Sequence, residues 1–248
     1  MKRTLGLTLL LFATLFSCMR QEKPLPAELS RAESVMWEHP DSALSILRSM
    51  PQSSLSIGKN YATWALLLAQ ARDKVYGKRL PDSLNIPSSD KLVQDAMDYF
   101  EKEGDLKRMA QTYYYKGQLL KDQKKITEAM PFFLKSKEMM TKLDEPLFTY
   151  LICQSLGNMY RYQDLYEESL VQLKDAYQYA LRSGNGERIS YALSELGRTY
   201  VHKNEMDSAL FYFGKSLDNA QRLGNIELEA MAMGELGVVY NKLSQGER

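Results

Sequence analysis

The six residues ELGRTY occupy positions 195–200, and related blocks stand one repeat step to either side, SLGNMY at 155–160 and ELGVVY at 235–240. Each block has the apolar spacing of a helix. Each also holds a glycine at its centre, where glycine costs a helix about 0.5–1 kcal/mol relative to alanine. A destabilising residue that returns at a fixed interval indicates a repeated unit in which two helices must come close together.

Several other positions keep the same 40-residue step in one register. The glycines of this step are Gly117, Gly157, Gly197 and Gly237. Small residues follow them at Ala129, Ser169 and Ala209, and large apolar residues follow at Phe133, Leu173 and Phe213. Interleaved series of this kind are typical of an internal repeat. We therefore expect the glycines and the small residues to lie where packed helices cross.

Each unit is predicted to hold two helices. In the first helix, Leu193, Leu196 and Tyr200 follow the i, i+3, i+7 spacing of one helical face. The polar residues 202–207 are predicted to form a short turn, and Asp207 is predicted to cap the second helix, as Asp41 does in a similar segment nearer the N-terminus. The second helices are predicted to end at left-handed residues, namely Gly104, Asp144, Gly184 and Gly224.

This pattern resembles the tetratricopeptide repeat. The residues that carry the resemblance are Cys153, Leu156, Gly157, Tyr160, Ser169, Leu173 and Ala176 in one unit, and Leu193, Leu196, Gly197, Tyr200, Ala209, Phe213 and Ser216 in the next. The usual period is about 34 residues, and the longer step here is similar to that of a long-period subclass. The resemblance implies an all-α fold, a right-handed α-solenoid of antiparallel helix pairs.

The resemblance also divides the chain. Residues 110–248 are predicted to form regular 40-residue units, the last of them truncated. Residues 27–109 are predicted to form degenerate helix pairs of the same kind, with an inserted loop at 78–89. In the repeat register, NKLSQGER at 241–248 is the turn before a second helix, so the sequence is interpreted as a piece of a longer protein.

The first residues have the pattern of an export signal. Lys2 and Arg3 precede an apolar run that is too short to span a bilayer comfortably, so residues 1–17 are predicted to be a signal peptide. The site LFSC, ending at Cys18, resembles the lipobox of bacterial lipoproteins, with a linker at 18–26. This predicts a lipid anchor on Cys18 and a place in the bacterial cell envelope, facing the periplasm rather than the outside. An ordinary secretory signal is the alternative.

No residue pattern points to catalysis, a metal or a cofactor. The chain has no glycine-rich phosphate loop and no closely spaced metal ligands. A formal net charge of +1 gives no support for nucleic-acid binding. Cys153 stands at an apolar position of its repeat helix, which indicates a buried hydrophobe rather than a nucleophile. We expect a protein without enzymatic activity.

The first helices of successive units are predicted to line one side of the solenoid, here called the concave face. The side chains expected there are Tyr114, Gln118, Lys121, Gln154, Asn158, Arg161, Tyr162, Ser194, Arg198, His202, Val238, Asn241 and Lys242. Amide side chains can form hydrogen bonds with the backbone of an extended peptide. We expect Arg161 and Arg198 to bind a carboxylate of the ligand. A merely solvated helix face is the alternative interpretation.

The leading functional hypothesis is a membrane-anchored module that binds a protein or peptide partner along the concave face. One alternative is the periplasmic sensory part of a longer transmembrane transcriptional regulator, because lipobox-bearing repeat proteins of this kind resemble those of Bacteroidota. Another alternative is a glycan-binding outer-membrane lipoprotein. The inserted loop at 78–89 has no aromatic residue, which argues against glycan binding.

Overall fold

The computed structural model describes residues 24–51, 55, 58–76 and 88–246. Within these ranges the chain forms eleven α-helices and no strand. The helices are α1 (Ala27–Val35), α2 (Pro40–Ser49), α3 (Lys59–Tyr76), α4 (Ser89–Glu103), α5 (Leu106–Asp122), α6 (Ile126–Lys142), α7 (Pro146–Tyr162), α8 (Tyr166–Ser183), α9 (Gly186–His202), α10 (Met206–Leu223) and α11 (Ile226–Gly246).

The helices form consecutive antiparallel pairs. Odd-numbered helices are the first helices of their units and even-numbered helices are the second, so that α11 is a first helix with no described partner after it. Each helix packs chiefly against its neighbours in the sequence, and several first helices also contact the first helix of the next unit. Packing that is mainly between neighbouring units is typical of a solenoid, and the predicted all-α solenoid is confirmed.

The connections between units use the predicted left-handed residues. Gly104, Gly184 and Gly224 have φ values of 76°, 67° and 63°, and Asp144 takes the same conformation at 54°. Glycine adopts this region without steric penalty, and aspartate tolerates it better than most residues. A side chain that caps the next first helix follows three of these residues, at Asp105, Asn185 and Asn225.

The turns inside the units contain a second left-handed series. Lys124, Asp164 and Asn204 have φ values of 62°, 60° and 63°, and they keep the same step along the sequence as the repeat glycines. The second helices that follow these turns begin without a side-chain cap. Asp207 and Asp41 lie inside the first turn of α10 and α2, so the prediction that they cap these helices is wrong. Their carboxylates still lie near the positive end of the helix dipole.

Three of the four repeat glycines lie at tight helix crossings. A Cβ built at each would lie 3.0 Å from Phe133 at Gly117, 2.6 Å from Leu173 at Gly157 and 2.5 Å from Phe213 at Gly197. The small residues Ala129, Ser169 and Ala209 are fully buried in the same pairs. A larger side chain at these glycines would have to displace the apolar residue opposite, because protein interiors are close-packed.

The fourth glycine has a different environment. No atom of the described residues lies within 4 Å of a Cβ built at Gly237, so the packing role predicted for this residue is wrong in this structure. The physical reason is that no described helix covers this side of α11, where Met233 and Tyr240 are 61% and 60% exposed. The turn predicted from residue 241 is also absent, since α11 remains helical as far as Gly246.

Some predictions fall outside the described residues. The signal peptide at 1–17, the lipidation site Cys18 and most of the linker at 18–26 are among these, as is nearly all of the inserted loop at 78–89. Among the helices that the structure describes, none combines the length and apolar character that a membrane span requires.

Candidate functional site

The concave face has two halves of different character. In the N-terminal half, Trp37 follows α1 and packs edge-on against Phe148 at the start of α7, with ring centroids 5.4 Å apart. The ammonium of Lys74 lies 3.4 Å from the centre of the Trp37 ring. Burial, followed by the nearby Arg188 cation, lowers the pKa of Lys74 to about 8. Side chains of the protein itself therefore fill this half.

Tyr114 belongs to this filled half and is only 4% exposed. Its ring contacts Phe133 and Phe148 edge-on, and its hydroxyl accepts a hydrogen bond of 2.9 Å from Gln118. Lys121 in turn contacts the amide oxygen of Gln118. The prediction that Tyr114 contacts a ligand is wrong, because the aromatic packing covers its ring.

In the C-terminal half, four charged side chains form a line across three first helices. Arg161 on α7 donates to Glu195 on α9 at 2.6 Å, and Arg198 donates to the other oxygen of Glu195 at 2.9 Å. Arg198 also reaches Glu235 on α11 at 2.6 Å. These four residues are called the ion-pair ladder, and their formal charges sum to zero.

The two arginines of the ladder are therefore not free cations. The side chain of Arg161 is 7% exposed and that of Glu195 is 11% exposed. Partial burial opposes the charge on Arg198, but the carboxylates of Glu195 and Glu235 outweigh it and raise the pKa of Arg198 above its ordinary value. The prediction that Arg161 and Arg198 hold a ligand carboxylate is wrong, because carboxylates of the chain already occupy them.

A pocket of about 360 Å³ opens beside the ladder. It lies where the C-terminal ends of α7 and α9 approach the middle of α11. Its lining residues are Arg161, Tyr162, Arg198, Val201, His202, Phe213, Glu235 and Val238. The structure thus brings together five residues that were predicted from sequence for the concave face, and it adds Val201, Phe213 and Glu235.

The repeat register explains why this pocket exists. One unit earlier, Arg161 crosses from α7 to Glu195 and closes the gap between the two first helices. The equivalent crossing from α9 to Glu235 would start at position 201, where the chain has a valine. A valine side chain is too short to reach across, so the gap stays open. This change from arginine to valine is visible in the sequence and could have located the pocket.

The rim and wall of the pocket offer groups for a ligand. Tyr162 is 78% exposed, and the exposed ring of His202 stacks on Tyr166 with centroids 6.0 Å apart. In the wall, Oε2 of Glu235 is shielded from solvent and has no hydrogen-bond partner within the described residues. A buried acceptor without a donor is unfavourable by roughly 1–3 kcal/mol, and a donor supplied by a ligand removes that penalty.

The remaining predicted residues lie elsewhere. Ser194 is buried between α9 and α10, where its hydroxyl lies 3.1 Å from that of Ser216, so its predicted place on the concave face is wrong. Gln154 and Asn158 are partly buried on α7. Asn241 and Lys242 are exposed on α11 but do not line the pocket.

Cys153 is buried in the core of its unit. Burial is the main reason why the pKa of its thiol is raised to about 11. A thiol that stays protonated at neutral pH is a poor nucleophile, which agrees with its interpretation as a buried hydrophobe.

No protein-family model matches the sequence, and no curated protein matches it either. Solved structures do match the fold. The Signal Transduction ATPase with Numerous Domains (STAND) protein with a tetratricopeptide repeat sensor from Pyrococcus horikoshii matches with a TM-score of 0.68 at 18% identity, over 86% of this chain and 32% of that chain. The apo form of RapI matches with a TM-score of 0.65 at 14% identity, over 88% and 82% of the two chains.

BtubC (BKLC) from P. vanneervenii is also similar, with a TM-score of 0.61 at 14% identity, over 88% of this chain and 80% of that chain. Likeness at such low identities concerns architecture and not activity. Taken with the paired helices, the left-handed connections and the glycine crossings, it shows that this chain has a tetratricopeptide-like helical-repeat fold.

Proposed function

We propose that this chain is a non-enzymatic binding protein of the bacterial envelope, held at the membrane by a lipid on Cys18, which binds an extended segment of a protein partner. The observation that carries the proposal is the pocket beside the ion-pair ladder, on the concave face of α7, α9 and α11. Stacked helical repeats commonly use such a face to bind other proteins.

The position of the pocket favours a chain-like ligand. On α7, Gln154 and Asn158 precede Tyr162 at four-residue spacing, so their amides lie on the same side of the helix as the exposed ring that lines the pocket. Amide groups bond the main chain of an extended peptide, and an open pocket takes one of its side chains. The N-terminal half of the concave face is filled by Trp37 and Phe148, so binding is assigned to the C-terminal half.

The membrane part of the proposal rests on the sequence at positions 1–18. Covalently attached acyl chains hold a protein at a membrane by their buried methylene groups, and several chains together give stable anchoring. Replacing Cys18 with Ser should move the protein from the membrane fraction to the soluble fraction and abolish labelling with a fatty-acid analogue. Unchanged fractionation and labelling would contradict the lipid anchor.

The binding part is tested by capture from an envelope extract of the source bacterium, with the full chain as bait. Tyr162→Ala and His202→Ala remove the two exposed rings at the pocket rim. Lys174→Ala is the control, because Lys174 is exposed on the second helix α8. We expect the rim variants to lose partners that the control retains, with the melting temperature unchanged. Identical capture by all three variants would place the binding surface elsewhere.

A further inference from the structure

We propose that the pocket beside the ladder selects one apolar side chain, aliphatic or aromatic, and discriminates against an acidic side chain or a terminal carboxylate. The inference rests on the proposed function, because it names the chemistry of the segment that the concave face would bind. It replaces the expectation of a basic, carboxylate-binding strip.

The lining supports an apolar side chain. Val201 on α9 and Val238 on α11 line the pocket, together with Phe213 of α10, which is 2% exposed. A volume of about 360 Å³ lies at the lower end of the roughly 300–1,000 Å³ that ligand sites span. A pocket of that size suits a single large side chain of a longer ligand.

The charges argue against an acidic group. The arginines that border the pocket already donate to Glu195 and Glu235, so neither offers an unshared positive charge. An entering carboxylate would instead meet the carboxylate of Glu235, whose side chain is only 12% exposed. Like charges brought together away from water repel strongly. The unpartnered Oε2 of Glu235 favours a donor next to the apolar side chain, and a main-chain N–H is such a donor.

The repeat itself supplies a variant that closes the pocket. Val201→Arg places an arginine where Arg161 stands one unit earlier, and it can reach Glu235 as Arg161 reaches Glu195. We expect this variant to fold and to fill the gap. Val171→Arg is the matched control, since Val171 is 57% exposed on the second helix α8. Val238→Thr keeps the shape of the wall but adds a hydroxyl, and it gives a second test without a new charge.

The probes are blocked tripeptides, acetyl-Gly-Xaa-Gly-amide, with Phe, Leu, Gly, Asp or Lys in the middle. They are titrated into the full chain, and the methyl NMR signals of Val201 and Val238 report binding. We expect saturable shifts for Phe and Leu, with affinity about tenfold to a hundredfold above that of the Gly peptide. Val201→Arg should abolish the shifts at Val238, Val238→Thr should weaken binding, and Val171→Arg should change nothing.

Two outcomes would overturn the inference. One is binding of the Asp peptide as tight as that of the Phe peptide, which would restore a carboxylate site. The other is the absence of any saturable shift for every probe. Neither outcome decides whether a protein partner binds the concave face, because the capture experiment with the rim variants measures that separately.

Discussion

Helices α9 and α11 carry nearly the same motif, ELGRTY and ELGVVY, in two different environments. At α9 the motif lies under a second helix, and Phe213 comes so close to Gly197 that no Cβ would fit without a shift. At α11 the space next to Gly237 is open and Tyr240 is exposed. The motif therefore prepares a contact surface, and the effect of each residue on stability depends on whether a helix covers that surface.

The charged residue that opens the motif shows the same contrast. Glu195 is bonded by two arginines, one of which is almost fully buried. Among the described residues, Glu235 is bonded by Arg198 alone, and the side chain of that arginine is 41% exposed. Matched substitutions in the two motifs can therefore test how far the covering helix and the neighbouring unit determine the energetics.

The largest difference is expected for the two glutamates. Glu195→Ala leaves the buried guanidinium of Arg161 without its carboxylate, and removing one partner of a buried ion pair typically costs about 3–5 kcal/mol. Glu235→Ala leaves Arg198 paired with Glu195, so its cost should be about 1 kcal/mol or less. Urea unfolding of both variants measures the difference, and equal losses would show that the burial of Arg161 does not matter.

The two glycines should respond with opposite signs. At Gly197 even alanine would place its Cβ 2.5 Å from the Phe213 ring, and overpacking of this kind costs about 1–3 kcal/mol. At Gly237 alanine meets no atom of the part of the chain that the structure describes, so its better helix propensity should stabilise the chain by about 0.5–1 kcal/mol. Thermal melts of the two alanine variants decide this. A destabilised Gly237→Ala would indicate that something covers α11 in solution.

The smallest difference is expected for the two tyrosines. Tyr200 stacks on Tyr212 with centroids 5.3 Å apart and an angle of 9° between the rings. Tyr200→Leu keeps apolar bulk but loses the ring pair, which is worth about 0.5–1.5 kcal/mol beyond buried area. Tyr240→Leu should stay within about 0.5 kcal/mol of the parent, as exposed substitutions usually do. A larger loss at Tyr240 than at Tyr200 would reverse the comparison.

The features that could be predicted from sequence are those that repeat with one residue type. The glycine crossings and the glycines between units form such series, and both were predicted. The left-handed turn series at Lys124, Asp164 and Asn204 was missed, although it keeps the same step, because three unlike residues share only their backbone conformation. A series of residue types does not reveal a series of dihedral angles.

The candidate site was harder to predict because its contacts are between residues at different positions of the repeat unit. Arg161 and Glu195 are 34 residues apart, so their pairing belongs to no 40-residue series. From the sequence alone, Arg161 and Arg198 were interpreted as polar residues on an accessible helix face. Trp37 and Phe148 come from distant parts of the sequence, and no local pattern indicates that contact. Most residues that line the pocket in the C-terminal half were predicted from sequence. The ion pairs that neutralise the charges of Arg161 and Arg198 were not.

The ion-pair ladder also has a mechanical consequence. Under tension, α7, α9 and α11, the first helices of three successive units, behave as springs in series, because each unit of a solenoid packs mainly against its neighbours. The ladder adds a cross-link between α7 and α9 that is shielded from solvent, and another between α9 and α11 that is partly exposed. Dissolved ions screen exposed charges far more than buried ones. Added salt should therefore lower the force needed to separate α9 from α11, while the force needed to separate α7 from α9 stays nearly the same.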